Sequence, residues 1–262
     1  RDILENTGLG SPLPAEVAVR RGGTGEVMVV LTGSGRRAGG CGAPAAEIAR
    51  LPGVVSVVEQ DRRGRYHTLA GRDYIRDELD GLRFRVSAGS FYQVNPEQTA
   101  VLYRQVLAYS ALRGGEEVAD AYCGVGTIAL CLARHAGAVR GYEIYARAVR
   151  DAEANAALNG LHNAFFFRGA AERLLPEHVD GGYRPDVVVL DPPRSGCRPE
   201  VLEAVARSGA RRVVYVSCDP AALARDAGRL AGLGYELQEV QPVDMFPHTT
   251  HVECCSLFAR NC

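Results

Sequence analysis

From residue 95 onward the sequence alternates compact apolar runs with stretches of helical length, and this rhythm constrains the fold more than any other feature. The apolar runs are Glu117–Ala121, 139–143, Ala164–Arg168, 186–190 and Arg212–Ser217; helix candidates are Pro96–Ser110, 126–136, 146–159, Pro199–Ser208 and 220–233. Continuous apolar runs of this length suit parallel strands buried on both faces, which right-handed crossovers join. Two further runs, Tyr235–Val243 and 252–259, follow each other with too little between them for a crossover helix. Such neighbours are expected to be antiparallel. Residues 91–262 are therefore expected to form an α/β domain on a seven-stranded sheet with its last strands antiparallel.

Residues 1–90 read differently. Short β-like runs at Glu16–Arg21, 26–32, Val54–Gln60 and Leu82–Ser87 are separated by glycine-rich turns such as Arg21-Gly22-Gly23-Thr24-Gly25. One short helix fits 43–51. The expectation is a small α+β domain preceding the larger one. A length of 262 residues accommodates both. With 47% hydrophobic residues, 23% charged residues and no apolar run near the ~20 that a bilayer requires, no membrane association is expected. The first residues lack the charged-then-apolar pattern of a secretory signal, so the chain reads as cytoplasmic. Nothing in the sequence speaks for an oligomer, and a monomer is the default.

The eight cysteines form no Cys-x-x-Cys pair, which removes the usual zinc and iron–sulfur spacings. All basic residues are arginine, and the net charge of −1 gives no global attraction for nucleic acid. The pairs Arg20-Arg21, Arg36-Arg37 and Arg62-Arg63 give the first 90 residues a slight basic excess, but exposed charges are ordinarily just solvated.

Chemistry is expected at the carboxyl ends of the parallel strands, where open α/β sheets hold their ligands. After the first strand comes Asp120-Ala121-Tyr122-Cys123-Gly124-Val125-Gly126-Thr127. Gly124 and Gly126 let the backbone approach a ligand, and Thr127 opens a helix whose amides can bind polar atoms. Glu143 ends the second strand, placed to accept hydrogen bonds from ribose hydroxyls. This pair of features fits nicotinamide enzymes almost as well as methyltransferases. The fourth strand ends in Asp191-Pro192-Pro193-Arg194-Ser195-Gly196, whose prolines stiffen the loop and direct the Asp191 carboxyl.

The fifth strand ends in Tyr215-Val216-Ser217-Cys218-Asp219-Pro220. An isolated cysteine is ordinarily a small core residue. Cys218, however, lies at a strand terminus directly before a helix, whose dipole is expected to lower the thiol pKa. The last segment is Asp244-Met245-Phe246-Pro247-His248-Thr249-Thr250-His251-Val252-Glu253. His248 and His251 lack a third ligand at suitable spacing, so no metal site is expected. Glu253, opening a strand near the same edge, can serve as a general base.

These motifs together resemble the RNA uracil-5-methyltransferase family, whose members make 5-methyluridine in large-subunit rRNA and in the tRNA T-loop. The matching stretches are DPPRSG followed by VVYVSCDP, DMFPHTTHVE, Gly89–Asn95 and DAYCGVG, four separated motifs in order. DAYCGVGTIAL and QPVDMFPHTTHVE look most like the 23S rRNA branch found in Gram-positive bacteria. The resemblance implies a Rossmann-like class I methyltransferase fold, S-adenosylmethionine as methyl donor and an RNA partner, 23S rRNA ahead of tRNA. It also implies that Gln93, Tyr122, Glu143 and Asp191 contact the donor or the target base, with Cys218 as nucleophile and Glu253 as proton acceptor. Arg194 would stabilise the thiolate or hold a phosphate.

Three positions depart from the family pattern. Asp219 stands where Asn is usual and is expected to oppose thiolate formation. Ala222 replaces a common Thr. Gly169-Ala170-Ala171 offers only small side chains near the expected adenine position, leaving Glu172 or a backbone group to substitute. Family members often begin with an RNA-binding barrel and, in many, a cysteine cluster for an iron–sulfur centre. Neither is legible here, so no cluster is expected and the chain reads as a fragment or as a lineage without the barrel. Three rivals are an exocyclic-amine methyltransferase, which would need neither Cys218 nor Glu253, a nicotinamide oxidoreductase, and a catalytically silent RNA-binding module.

Overall fold

The computed structural model describes residues 16–32 and 42–261, with side chains from 45 onward in the second stretch. Cys41, Cys262 and the Arg36-Arg37 pair lie outside the described residues. The chain divides between Ser90 and Phe91 into two compact units.

In the first unit β1 (Glu16–Arg21), β2 (Val27–Thr32), β3 (Val54–Gln60) and β4 (Tyr66–Gly71) form a sheet in that order. The β2–β3 pair is parallel and the other two are antiparallel. Helix α1 (Gly42–Ile48) packs Ala45 and Ile48 against Val29, Leu31 and Val57. A hairpin of β5 (Tyr74–Leu79) and β6 (Leu82–Ser87) turns at Asp80-Gly81, both with positive φ (50° and 75°). Positive φ at both central residues is what a tight two-residue hairpin loop demands. Strands β4 and β5 go beyond those expected from the sequence. In β5 the inward positions are Ile75, Asp77 and Leu79, so a buried acid interrupts the apolar alternation. Asp77 is tolerated inside because it accepts the amides of Gly23 and Glu78, both at 2.8 Å.

The second unit is a seven-stranded mixed sheet of the Rossmann-like class I type. Its strands are β7 (Glu117–Ala121), β8 (Ala138–Glu143), β9 (Ala164–Arg168), β10 (Val187–Leu190), β11 (Arg212–Ser217), β12 (Tyr235–Val243) and β13 (Glu253–Arg260). Their spatial order is β12-β13-β11-β10-β7-β8-β9. Strands β7 to β11 pair in parallel, while β13 runs antiparallel to both β11 and β12.

The helices are α2 (Pro96–Ser110), α3 (Thr127–Ala133), α4 (Ala146–Leu158), α5 (Ala171–Asp180), α6 (Pro199–Ser208) and α7 (Pro220–Gly232). Helix α5 is not among the helices expected from the sequence, and it carries Pro176 in its interior. The helix survives by burying Leu174, Leu175 and Val179 against the sheet and α6. Chain direction reverses between β7 and β10: β8 and β9 build outward on one side, then β10 returns to the other. This reversal opens a crevice at the carboxyl ends of β7 and β10, where such sheets place ligands. Among the described residues no helix is long and apolar enough to cross a membrane.

Candidate active site

One side of the crevice is built by the turn after β7. Tyr122 has a left-handed backbone (φ 68°), as do Gly124 (φ 56°) and Gly126 (φ 82°). A Cβ on Gly126 would meet Phe166 Cζ at 3.0 Å and Ala152 Cβ at 3.1 Å, so helix α3 approaches the sheet this closely only with glycine there. At Gly124 a Cβ would point into open space, leaving the backbone bare on the crevice side. Glu143, at the end of β8, accepts the Gly124 amide at 3.0 Å and the Tyr145 amide at 2.7 Å. Its carboxylate is thereby held in one direction beside the glycine turn. Thr127, first in α3, accepts the Tyr103 hydroxyl at 2.8 Å. The Tyr122 hydroxyl donates to Glu172 at 3.1 Å, bringing the acid of α5 to this turn.

Asp120, the first residue of the DAYCGVG stretch, belongs to the same wall, and the sequence assigns it no role. It is fully buried, and burial followed by the charge of Asp191 pushes its pKa well above the usual carboxylate range, with the Ala129 amide opposing. The available signal is an acid inside the apolar run Glu117–Ala121.

The other side gathers Asp191, Arg194, Cys218, Glu253 and Gln93. Asp191 follows β10, and its amide donates to Ala121 at 3.4 Å, so the two loops leave the sheet together. In the β11–β13 register Ser217 lies opposite Cys254. Cys218 directly follows Ser217 and Glu253 directly precedes Cys254, so the two stand at the same end of this pair, close enough for the Glu253 charge to act on the thiol. Gln93 hydrogen-bonds the Glu253 carboxyl, and Arg194 lies near enough to act on both Glu253 and Cys218. Asn95 caps α2 by accepting the Gln98 amide at 3.2 Å and donates to the Met245 carbonyl at 3.2 Å, tying the Gln93 loop to the segment before Glu253.

Electrostatics follow from this crowding. Burial raises Glu253 to about 7, with Arg194 and Gln93 opposing, and one carboxyl oxygen has no partner. Burial, then the Glu253 charge, raises Asp191 to about 7 as well. Two acids sharing a poorly hydrated site disfavour simultaneous ionisation.

For Cys218 the expected depression is overturned: its pKa is raised. Burial is the main cause, followed by the Glu253 charge, while Arg194 pulls it down by charge and hydrogen bond. The helix terminus does not help, because the Asp219 side chain occupies it, accepting the Ala221 and Ala222 amides at 2.9 and 3.0 Å. Asp219 itself is thus turned onto the helix, and the acids that hold the thiol up are Glu253 and Asp191. His248 and His251 are exposed, and His251 packs edge-on to Phe246. Among the described residues no group of three or more His, Cys, Asp or Glu side chains is placed to hold a metal ion.

Residues 54–261 match the model of the tRNA (uracil-5-)-methyltransferase family. An uncharacterized RNA methyltransferase of Enterococcus faecalis is 46% identical over 254 residues, covering 93% of this chain and 56% of that protein. One from Bacillus cereus is 47% identical over 246 residues, covering 90% of this chain and 54% of that protein. The chain therefore spans about half the length of these curated relatives. Among solved structures, the Pyrococcus abyssi tRNA (uracil-54, C5)-methyltransferase in complex with S-adenosyl-L-homocysteine superposes with a TM-score of 0.77 at 25% identity, covering 98% of this chain and 66% of that one. By sequence, fold and the loops that shape its crevice, this chain belongs to the tRNA (uracil-5-)-methyltransferase family.

Proposed function

We propose that this chain methylates carbon 5 of a uridine in RNA, with Cys218 as covalent nucleophile, Glu253 as proton acceptor and S-adenosylmethionine as methyl donor. The carrying observation is a thiol and a buried carboxyl brought together at the same end of the β11–β13 pair, with a guanidinium near both.

The donor fits the β7–β8 wall. Glu143 is held by the Gly124 and Tyr145 amides beside the glycine turn, where a Gly124 side chain would meet nothing. Gln93, Tyr122, Gly124, Gly126, Thr127, Glu143 and Asp191 are the residues assigned to it. When bound, it supplies a methyl group on a positively charged sulfur.

The chain's own residues do the rest. Carbon 5 of uracil is a weak nucleophile, and addition of the Cys218 thiolate to carbon 6 makes it reactive. Arg194 stabilises the thiolate before addition, against the acids that oppose it. Asp191, raised to about 7, retains a proton in part at neutral pH and can donate a hydrogen bond to the base. After carbon 5 has been methylated, Glu253 takes its proton, and elimination releases Cys218. A base with pKa near 7 is suited to that step at neutral pH. The target uridine must leave its stack to enter the crevice.

As substrate we assign 23S rRNA ahead of tRNA, on the likeness of DAYCGVGTIAL and QPVDMFPHTTHVE to the rRNA branch. The tRNA reading draws its support from the Pyrococcus abyssi enzyme. Incubation of the chain with S-adenosylmethionine and unmodified 23S rRNA or tRNA transcripts, followed by nucleoside mass spectrometry, tests both. The expected product is 5-methyluridine in the rRNA, lost in Cys218→Ala. Methylated adenosine or guanosine instead, surviving Cys218→Ala, would contradict the proposal.

A further inference from the structure

Arg194 and Cys218 arrive on different elements, and a carboxylate behind them ties those elements together. Asp226, in the middle of α7, is fully buried. Its Oδ2 accepts the Cys197 amide at 2.8 Å and the Tyr215 hydroxyl at 2.7 Å. Its Oδ1 accepts Arg225 Nε at 3.0 Å, and Arg225 Nη2 donates onward to the Ser195 carbonyl at 2.7 Å. Two tethers thus reach the turn that follows Arg194, and one reaches the strand that ends beside Cys218.

The turn is built around this carboxylate. Gly196 has φ 77°, and a Cβ there would lie 2.5 Å from Asp226 Oδ2 and 2.3 Å from Arg225 Nη2. The Gly196 amide closes the turn onto the Pro193 carbonyl at 2.8 Å. Along α7, Leu223, Asp226 and Leu230 share one buried face. An apolar side chain at the middle position would pack there without the desolvation a carboxylate suffers. What the carboxylate adds is direction, since each donor must meet it at hydrogen-bonding distance.

We propose that Asp226 is a positioning residue: it fixes the Pro193–Cys197 turn against the strand and helix flanking Cys218, and so holds the Arg194 guanidinium at the thiol. Its catalytic meaning rests on the reaction proposed above, but the tether is testable without RNA or methyl donor.

The test is the pH dependence of Cys218 alkylation by iodoacetamide, read on the Cys218 peptide by mass spectrometry. Arg194→Gln should raise the midpoint, and Asp226→Ala should raise it in the same direction by about half a pH unit or more. Asp226→Asn keeps an acceptor for Cys197 and Tyr215 and should restore most of the wild-type midpoint. In turnover, Asp226→Ala should lower kcat on the order of 10- to 100-fold with little change in the KM for S-adenosylmethionine. An unmoved midpoint in Asp226→Ala, or in Arg194→Gln, overturns the inference. Should Asp226→Ala fail to unfold cooperatively, Arg225→Met severs the Ser195 tether from the surface and carries the same expectation and the same refutation. Shifted midpoints in a protein that methylates no RNA would uphold the tether and refute the assigned reaction.

Discussion

Glu253 combines an unpartnered oxygen with a pKa raised to about 7, and both properties can be read in experiments. If it removes the proton from carbon 5, Glu253→Gln stalls the reaction after methyl transfer. A methylated Cys218–RNA adduct should then accumulate with ordinary uridine and survive on a denaturing gel, while turnover falls on the order of 10²- to 10⁴-fold. Stability carries a second signature. The folded chain holds the Glu253 proton to about pH 7, whereas the unfolded chain releases it near 4.5. Across that window the folded state binds more protons, so this group's contribution is intact below pH 4.5 and is lost as pH rises through 7. A carboxyl that titrates one pH unit higher in the folded chain than in the unfolded one contributes about 1.4 kcal/mol to this dependence. Glu253→Gln should therefore flatten the decline in unfolding free energy between about pH 5 and 8. Urea titrations at both pH values check this, and an unchanged slope would contradict the burial described for Glu253. Asp191 titrates in the same direction.

Helix α7 begins one residue after its cap, and that cap decides what the helix does for Cys218. Asp219 accepts two first-turn amides, so Asp219→Ala should cost about 1 kcal/mol of stability by thermal or urea unfolding. It should also free those amides to act on the thiol, so that Cys218 alkylates faster at neutral pH. Slower alkylation in a folded Asp219→Ala protein would contradict this account of the raised thiol. At the head of α3, Gly126→Ala meets both an unfavourable φ and the close contacts with Phe166 and Ala152. A loss of about 1–3 kcal/mol is expected in the same unfolding measurement. Element by element, the long apolar runs and the proline-started helices Pro96–Ser110, Pro199–Ser208 and α7 are legible in the sequence, because apolar spacing and a proline at the helix start coincide there, with a side-chain cap at Asn95 and Asp219 besides. Strands β4 and β5 and helix α5 are not. A buried Asp77 and an interior Pro176 contradict local pattern, and tertiary packing overrides them. The Asp80-Gly81 turn, by contrast, is a hairpin signal that local sequence does carry.

At the scale of the whole molecule, the order β12-β13-β11-β10-β7-β8-β9 brings loops from residues 93, 122, 191, 218 and 253 to one sheet edge. The motifs at those loops are visible in the sequence because each ends a strand with unusual chemistry. Asp120 and Asp226 are hidden for the opposite reason. Asp120 is an acid inside an apolar run and Asp226 one charge among several along α7, and only the packed neighbours reveal what each faces. The raised pKa of Cys218 is likewise illegible, since it depends first on burial and then on Glu253 and Asp191 arriving from distant segments. The most direct measurement of the central claim is covalent trapping with RNA carrying 5-fluorouridine, whose fluorine blocks the final proton removal. With S-adenosylmethionine and 23S rRNA transcripts, the account predicts a denaturation-resistant protein–RNA band that maps to Cys218 and disappears in Cys218→Ala. Methyl transfer to uridine with no such adduct, or an adduct that persists in Cys218→Ala, would contradict it.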